Sequence, residues 1–177
     1  MPLFREPEST FRKESFPTNG STAVLKITAL VGAIVGDAAK QRYQSLGIDL
    51  EDVKAQLLAV NNLALENKPA DMVITSHICR GNYHSTFFTS GSYDSVADYV
   101  FAQEHVDALL LEYDDERSGG FEPLAKVSPD KKVVLGLIST KTPKLEDKQM
   151  VINRIHEAAQ YIPLEHLCLS PQCGFAS

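Results

Sequence analysis

Four residues with side chains able to bind a borderline-soft metal, His77, Cys79, Glu112 and Cys173, each stand near the end of an apolar run. In Val73-Ile74-Thr75-Ser76-His77-Ile78-Cys79 a histidine and a cysteine lie two residues apart. In an extended strand such residues project to the same side. Glu112 closes the run Ala108-Leu109-Leu110-Leu111, and Cys173 follows Leu167-Cys168-Leu169-Ser170. One imidazole, one carboxylate and two thiolates make a tetrahedral N/O/S₂ set of the kind zinc accepts. Each member is a weak signal alone. His77 could equally be a hydrogen-bonded strand-end histidine, and Cys79 a small buried hydrophobe. Glu112 could be a solvated strand end, although a carboxylate behind four apolar residues is costly to bury without a partner.

Such a set can meet only if the strands run parallel and end on one side. The chain alternates in the way that requires. Strand 72–79 is followed by the loop 80–91 and a helix near 95–104. Strand 108–113 runs into the acidic loop 114–120 and a short segment, 121–125. Strand 133–139, the loop 140–144, a helix over 145–159 and a last strand at 167–170 complete the pattern. Apolar strands separated by helices indicate a parallel sheet covered on both faces. Upstream, residues 37–46 are rich in helix formers and close on Gly47, a C-cap. Asp49 caps a longer helix whose Leu50, Val53, Leu57, Leu58 and Leu63 lie at helical spacing. Residues 23–31 read as a strand or a helix, and residues 1–21 as an irregular arm.

The expected fold is α/β: after the arm at 1–21, residues 22–177 form a β/α (TIM-type) barrel represented by its C-terminal half. Five strands at most, in 177 residues, fall short of the eight strands and roughly 200 residues or more that a closed barrel needs. The remaining strands imply either an oligomer or a missing barrel half. The net charge of −6 and the lack of a Lys/Arg cluster argue against nucleic acid as a partner. No apolar run approaches a membrane span and no signal-peptide pattern opens the chain, so a cytoplasmic location is expected. Three cysteines suit metal-bound or reactive thiols plus one buried thiol better than a disulfide framework.

Three blocks resemble the cobalamin-independent methionine synthase family, above all its short single-barrel members. They are Ser76-His77-Ile78-Cys79-Arg80-Gly81-Asn82, Leu111-Glu112-Tyr113-Asp114-Asp115-Glu116-Arg117-Ser118-Gly119 and Leu169-Ser170-Pro171-Gln172-Cys173-Gly174-Phe175-Ala176-Ser177. The likeness runs from about Gly32 to the last residue. It implies a β/α barrel with a catalytic Zn²⁺ held by His77, Cys79, Glu112 and Cys173. It also implies methyl transfer to the thiol of homocysteine, from a donor such as methyltetrahydrofolate, in methionine biosynthesis. One family feature has no counterpart here: the acidic pair that helps hold the substrate amine gives way to Lys26-Ile27-Thr28-Ala29-Leu30-Val31. Two alternatives therefore stand beside the enzyme: a truncated barrel that binds zinc without turnover, and a zinc methyltransferase acting on another thiol.

Arg80, Asn82 and Asp114 are the further candidates for substrate contact, Arg80 because its guanidinium can grip a carboxylate with two donors. Arg80 could instead pair with the acidic loop. Lys141 is either an anion contact or a plain surface lysine. Cys168 is expected in the core, and His84, His105, His156 and His166 carry no assigned chemistry.

Overall fold

A computed structural model describes residues 22–25, 34–35 and 37–173. The arm expected at 1–21 and the stretch 26–31 lie outside them. The elements are β1 (Thr22–Leu25), α1 (Asp37–Ser45), α2 (Leu50–Leu65), β2 (Val73–Ile78), α3 (Asp94–Val96, continuing as a π-helical turn over Ala97–Phe101), β3 (Ala108–Glu112), β4 (Lys132–Ile138), α4 (Lys148–Ala158) and β5 (Leu167–Pro171). Short 3₁₀ turns at Glu116–Ser118, Glu122–Lys126 and Leu164–His166 fill the connections.

Local chemistry accounts for the helix ends. α1 stops at Gly47, whose φ of +68° lets the chain reverse while the Ile48 N–H bonds back to the Tyr43 carbonyl at 3.0 Å. Asp49 then caps α2, its carboxylate accepting from the Glu51 N–H at 2.9 Å. Leu50, Val53 and Leu57 pack on the core as their spacing demands, but Leu63 faces solvent and Leu65 is buried in its place. At about 100° per residue Leu65 falls roughly 60° from Leu50, on the stripe that residue begins, and Leu63 roughly 140° from it.

The five strands are all parallel and their spatial order is β1-β2-β3-β4-β5, the order of the chain. A doubly wound sheet reverses its order at a switch point. A sheet that advances one strand at a time is that of a β/α barrel wall. The single winding puts the helices on one face of the sheet, and the other face is the barrel interior, as the expected barrel requires. β2, β3 and β4 are buried almost throughout, whereas Leu169 of the edge strand β5 is 44% exposed. Behind β3 the core is aromatic: the rings of Phe101, Tyr93, Tyr113 and Phe121 follow one another in space, each tilted against the next, with centroids 5.6, 5.2 and 4.6 Å apart. These rings seat α3 and the 3₁₀ turn at Glu122–Lys126 against the sheet, so the C-terminal ends of β2 and β3 stand on a firm base. No helix among the described residues is long and apolar enough to cross a membrane.

Candidate metal centre

All three strand ends that were expected to carry donors lie on one side of the sheet. His77 is on β2 with Ile78 paired to Leu111, so continuing the register sets Cys79 beside Glu112 at the end of β3. Glu112 is paired in turn with Gly136, and Gly136 with Ser170 of β5. A register shift between Gly136 and Ile138 then brings Pro171 alongside Ile138, and Cys173 follows two residues on. His77, Cys79, Glu112 and Cys173 thereby meet: one ligand atom from each lies within 4.8 Å of all the others. The two sulfurs are 3.4 Å apart, and His77 Nε2 is 3.8 Å from Glu112 Oε1. Donors at about 2.0–2.3 Å from a tetrahedral ion are separated by roughly 3.3–3.8 Å. The group could hold a metal ion.

Its electrostatics point the same way. Glu112 is fully buried, and burial pushes its carboxyl above the usual carboxylate range; the neighbouring Cys173 adds to this, while the Arg80 backbone N–H and Arg117 oppose it. Glu112 Oε2 accepts from Arg117 Nη2 at 3.1 Å, but Oε1 makes no hydrogen bond among the described residues. An orphaned, buried carboxylate oxygen aimed at an imidazole and two sulfurs is what a bound cation would satisfy. The Cys79 thiol is raised by its contact with Cys173 and by burial, against which the Gly81 N–H donates to its sulfur at 3.2 Å. That donor comes from a loop folded back hard on itself. Gly81 has φ +95°, and a Cβ there would lie 2.8 Å from the Phe88 nitrogen. Only glycine lets Phe88 and Thr89 close onto the Arg80 carbonyl at 2.8 and 3.1 Å.

The other candidates separate. Arg80 is buried with its guanidinium over the Tyr93 ring at 4.2 Å, and among the described residues it makes no hydrogen bond to the acidic loop. The Tyr93 hydroxyl, pushed up to about 12 by burial, accepts from the Glu112 N–H at 2.8 Å and donates to the Glu112 carbonyl at 3.3 Å, so it pins the end of β3. Asp114 is fully enclosed by donors: Arg117 at 2.8 Å, Ser139 Oγ at 2.8 Å and Lys141 Nζ at 3.3 Å. Asn82 Nδ2 and Gln172 Nε2 both donate to Thr140 Oγ1, at 2.8 and 2.7 Å, which ties together the loops after β2, β4 and β5. Lys141 is 6% exposed and paired with Asp114, so it is no surface lysine. Cys168 stands outside the donor group, half-buried on β5. His84, His105 and His156 are exposed, and His166 Nδ1 lies 2.9 Å from the Lys131 carbonyl.

Sequence reasoning passed over Arg117, Ser139, Thr140 and Gln172 as site residues. Arg117 sits in a run of acidic residues and reads as local charge balance. Ser139 and Thr140 lack any motif of their own, and Gln172 lies within the third block without a chemistry of its own.

The family model for the catalytic domain of cobalamin-independent synthases matches residues 49–177. The chain belongs to the cobalamin-independent methionine synthase family. This family member is 47% identical over 142 residues to YxjH of Bacillus subtilis strain 168, covering 80% of the chain and 38% of YxjH. It is 44% identical over 138 residues to YxjG of the same strain, covering 77% of the chain and 36% of YxjG. Both relatives are uncharacterized. A crystal structure from Listeria monocytogenes, provisionally named a vitamin-B12-independent methionine synthase, superimposes with a TM-score of 0.65 at 36% identity, over 86% of this chain and 41% of that one. A B12-independent methionine synthase from Shewanella sp. W3-18-1, solved with selenomethionine, has a TM-score of 0.61 at 18% identity, over 86% and 42% of the two chains, and shares the fold. The chain thus spans about two fifths of the length of the proteins it matches.

Proposed function

We propose that this chain carries the zinc centre of a methyltransferase of methionine-synthase type, with a homocysteine-like thiol as acceptor and a methylated reduced folate as donor. The observation that carries the reading is the convergence of His77, Cys79, Glu112 and Cys173, from three strand ends, with one Glu112 oxygen that makes no hydrogen bond among the described residues. Membership of the family supports the methyl-transfer part. Bound zinc would supply a Lewis acid that keeps an acceptor sulfur as its nucleophilic thiolate near neutral pH.

The chain's own residues do the rest by holding and orienting. Two thiolates and a carboxylate offset the charge of a divalent cation, so a sulfur brought there keeps electron density for attack. Tyr93, with the Arg80 guanidinium over its ring, fixes the backbone of Glu112, and the Gly81 N–H holds the Cys79 sulfur in place. The polar rim formed by Asn82, Thr140 and Gln172 lies on the loops around the donors, where it can orient the polar end of an acceptor. Asp114 is already saturated and Arg80 is buried behind the strand, so both serve the site from beneath and Asn82 faces the acceptor.

Metal analysis of the purified protein, with a methionine-forming assay run on homocysteine and methyltetrahydrofolate donors, tests this. The wild type is expected to retain about one zinc per chain and Cys173→Ser to lose it while remaining folded. A wild type that binds no zinc under metal-replete conditions would sink the metal reading. Zinc binding with no methyl transfer to any thiol would leave the metal site and overturn the assigned reaction.

A further inference from the structure

We infer that Arg117 is a positioning residue of this centre: it holds the Glu112 carboxylate so that Oε2 is occupied and Oε1 alone is presented to the metal. The inference rests on the zinc reading above. Arg117 lies five residues after Glu112 in an acidic turn, yet its side chain turns inward and is only 5% exposed. Its Nη2 donates to Glu112 Oε2 at 3.1 Å and to Asp114 Oδ1 at 2.8 Å, and its Nη1 bonds to Asp115. Its backbone N–H is capped by Asp115 Oδ1 at 3.0 Å, and the guanidinium lies over the Phe87 ring at 5.2 Å.

The brace extends outward. Asp114, which steadies Arg117, is itself held by Ser139 and Lys141 from the loop after β4. A chain of charge-assisted hydrogen bonds therefore runs from Glu112 through Arg117 and Asp114 to Lys141, 27 residues beyond Asp114 in sequence. A carboxylate swinging freely about its terminal torsion could offer a cation either oxygen or both. With one oxygen tied to a planar fork whose Nη2 also binds Asp114 and whose Nη1 binds Asp115, the second oxygen has one direction left. That direction is toward His77 Nε2, 3.8 Å away. Ligand carboxylates that are hydrogen-bonded in this way lose affinity for their metal when the outer partner is removed.

Arg117→Ala should therefore bind zinc about 10- to 100-fold more weakly than the wild type in chelator competition. The cobalt-substituted protein should show an altered d–d band, since Glu112 no longer ligates in one geometry, while the sulfur-to-cobalt charge-transfer band persists. Arg117→Lys should recover part of the affinity, because an ammonium supplies charge but not the fork. Asp114→Asn, which loosens the brace without touching Glu112, should give a smaller loss and serves if Arg117→Ala does not fold. If Arg117 only orders the acidic turn, the metal-free variant unfolds earlier while zinc affinity and cobalt spectrum stay at wild-type values; that result overturns the inference and leaves the zinc site standing. A wild type that binds neither zinc nor cobalt would overturn both readings at once.

Discussion

A methyl group added to Gly136 tests whether the sheet itself sets the geometry of the donors. Gly136 is in the middle of the pairing that carries β3 to β4 and β4 to β5, facing Glu112 on one side and Ser170 on the other. A Cβ built there would lie 2.6 Å from the Gln172 Cα and 2.7 Å from the Leu111 carbonyl oxygen. Both obstacles are backbone, so no side chain can swing aside. Relief to ordinary contact at 3.4 Å requires the end of β5 to retreat by roughly 0.8 Å. Gln172 precedes Cys173 directly, and its N–H is anchored to the Ile138 carbonyl at 2.8 Å. A retreat of this size takes the Cys173 sulfur with it, whereas metal–ligand distances tolerate only about ±0.2 Å. Gly136→Ala should cost about 1–3 kcal/mol of stability as an overpacked core does. It should also weaken zinc binding by on the order of tenfold for each 1.4 kcal/mol of site strain. Urea unfolding of the metal-free protein gives the first quantity and chelator competition the second. Wild-type zinc affinity in a Gly136→Ala protein of lowered stability would show that Cys173 adjusts independently of the strand, and would refute the reasoning.

Two further expectations concern the opposite end of the sheet. Asp107 Oδ2 accepts from the buried Ile74 N–H and from Lys68 Nζ, each at 2.7 Å; Asp107→Ala should lower stability by about 1–3 kcal/mol in urea unfolding, the cost of orphaning a buried amide, and leave zinc stoichiometry unchanged. Glu104 is 1% exposed, and burial raises its carboxyl above the usual range although Ser76, Lys131 and Asn61 favour the charged form. A raised folded-state value means that the folded protein binds the proton more tightly, so this group's contribution is present at low pH and is lost as pH rises from about 4.3 through the folded value. Glu104→Gln should remove that slope, so its stability relative to wild type improves as pH rises through the window; parallel pH profiles for the two proteins would show that burial does not perturb Glu104.

Much of the frame was legible because it is local. Gly47 and Asp49 marked the turn between two helices through cap chemistry that needs no tertiary context. The runs around 73–78, 108–112, 132–138 and 167–171 read as parallel strands because both their faces demand burial. The donor types at those strand ends, and the likeness of the three blocks that contain them, pointed to a metal before any coordinates did. Tertiary structure decided what depends on which surfaces meet. Which face of the helix over Leu50–Leu65 is buried, and so that Leu65 rather than Leu63 meets the core, is decided by the sheet beneath. Arg80, adjacent to Cys79, lies behind the strand on Tyr93, since one step along a strand reverses a side chain's direction. Cys173 reaches Cys79 only through the shifted register after Gly136, which no local pattern encodes. Arg117, Asp114, Lys141 and Thr140 become neighbours of the donors because three loops fold over one sheet edge. Residue type and period are properties of a segment, but the distance between two segments is set by the packing of the whole.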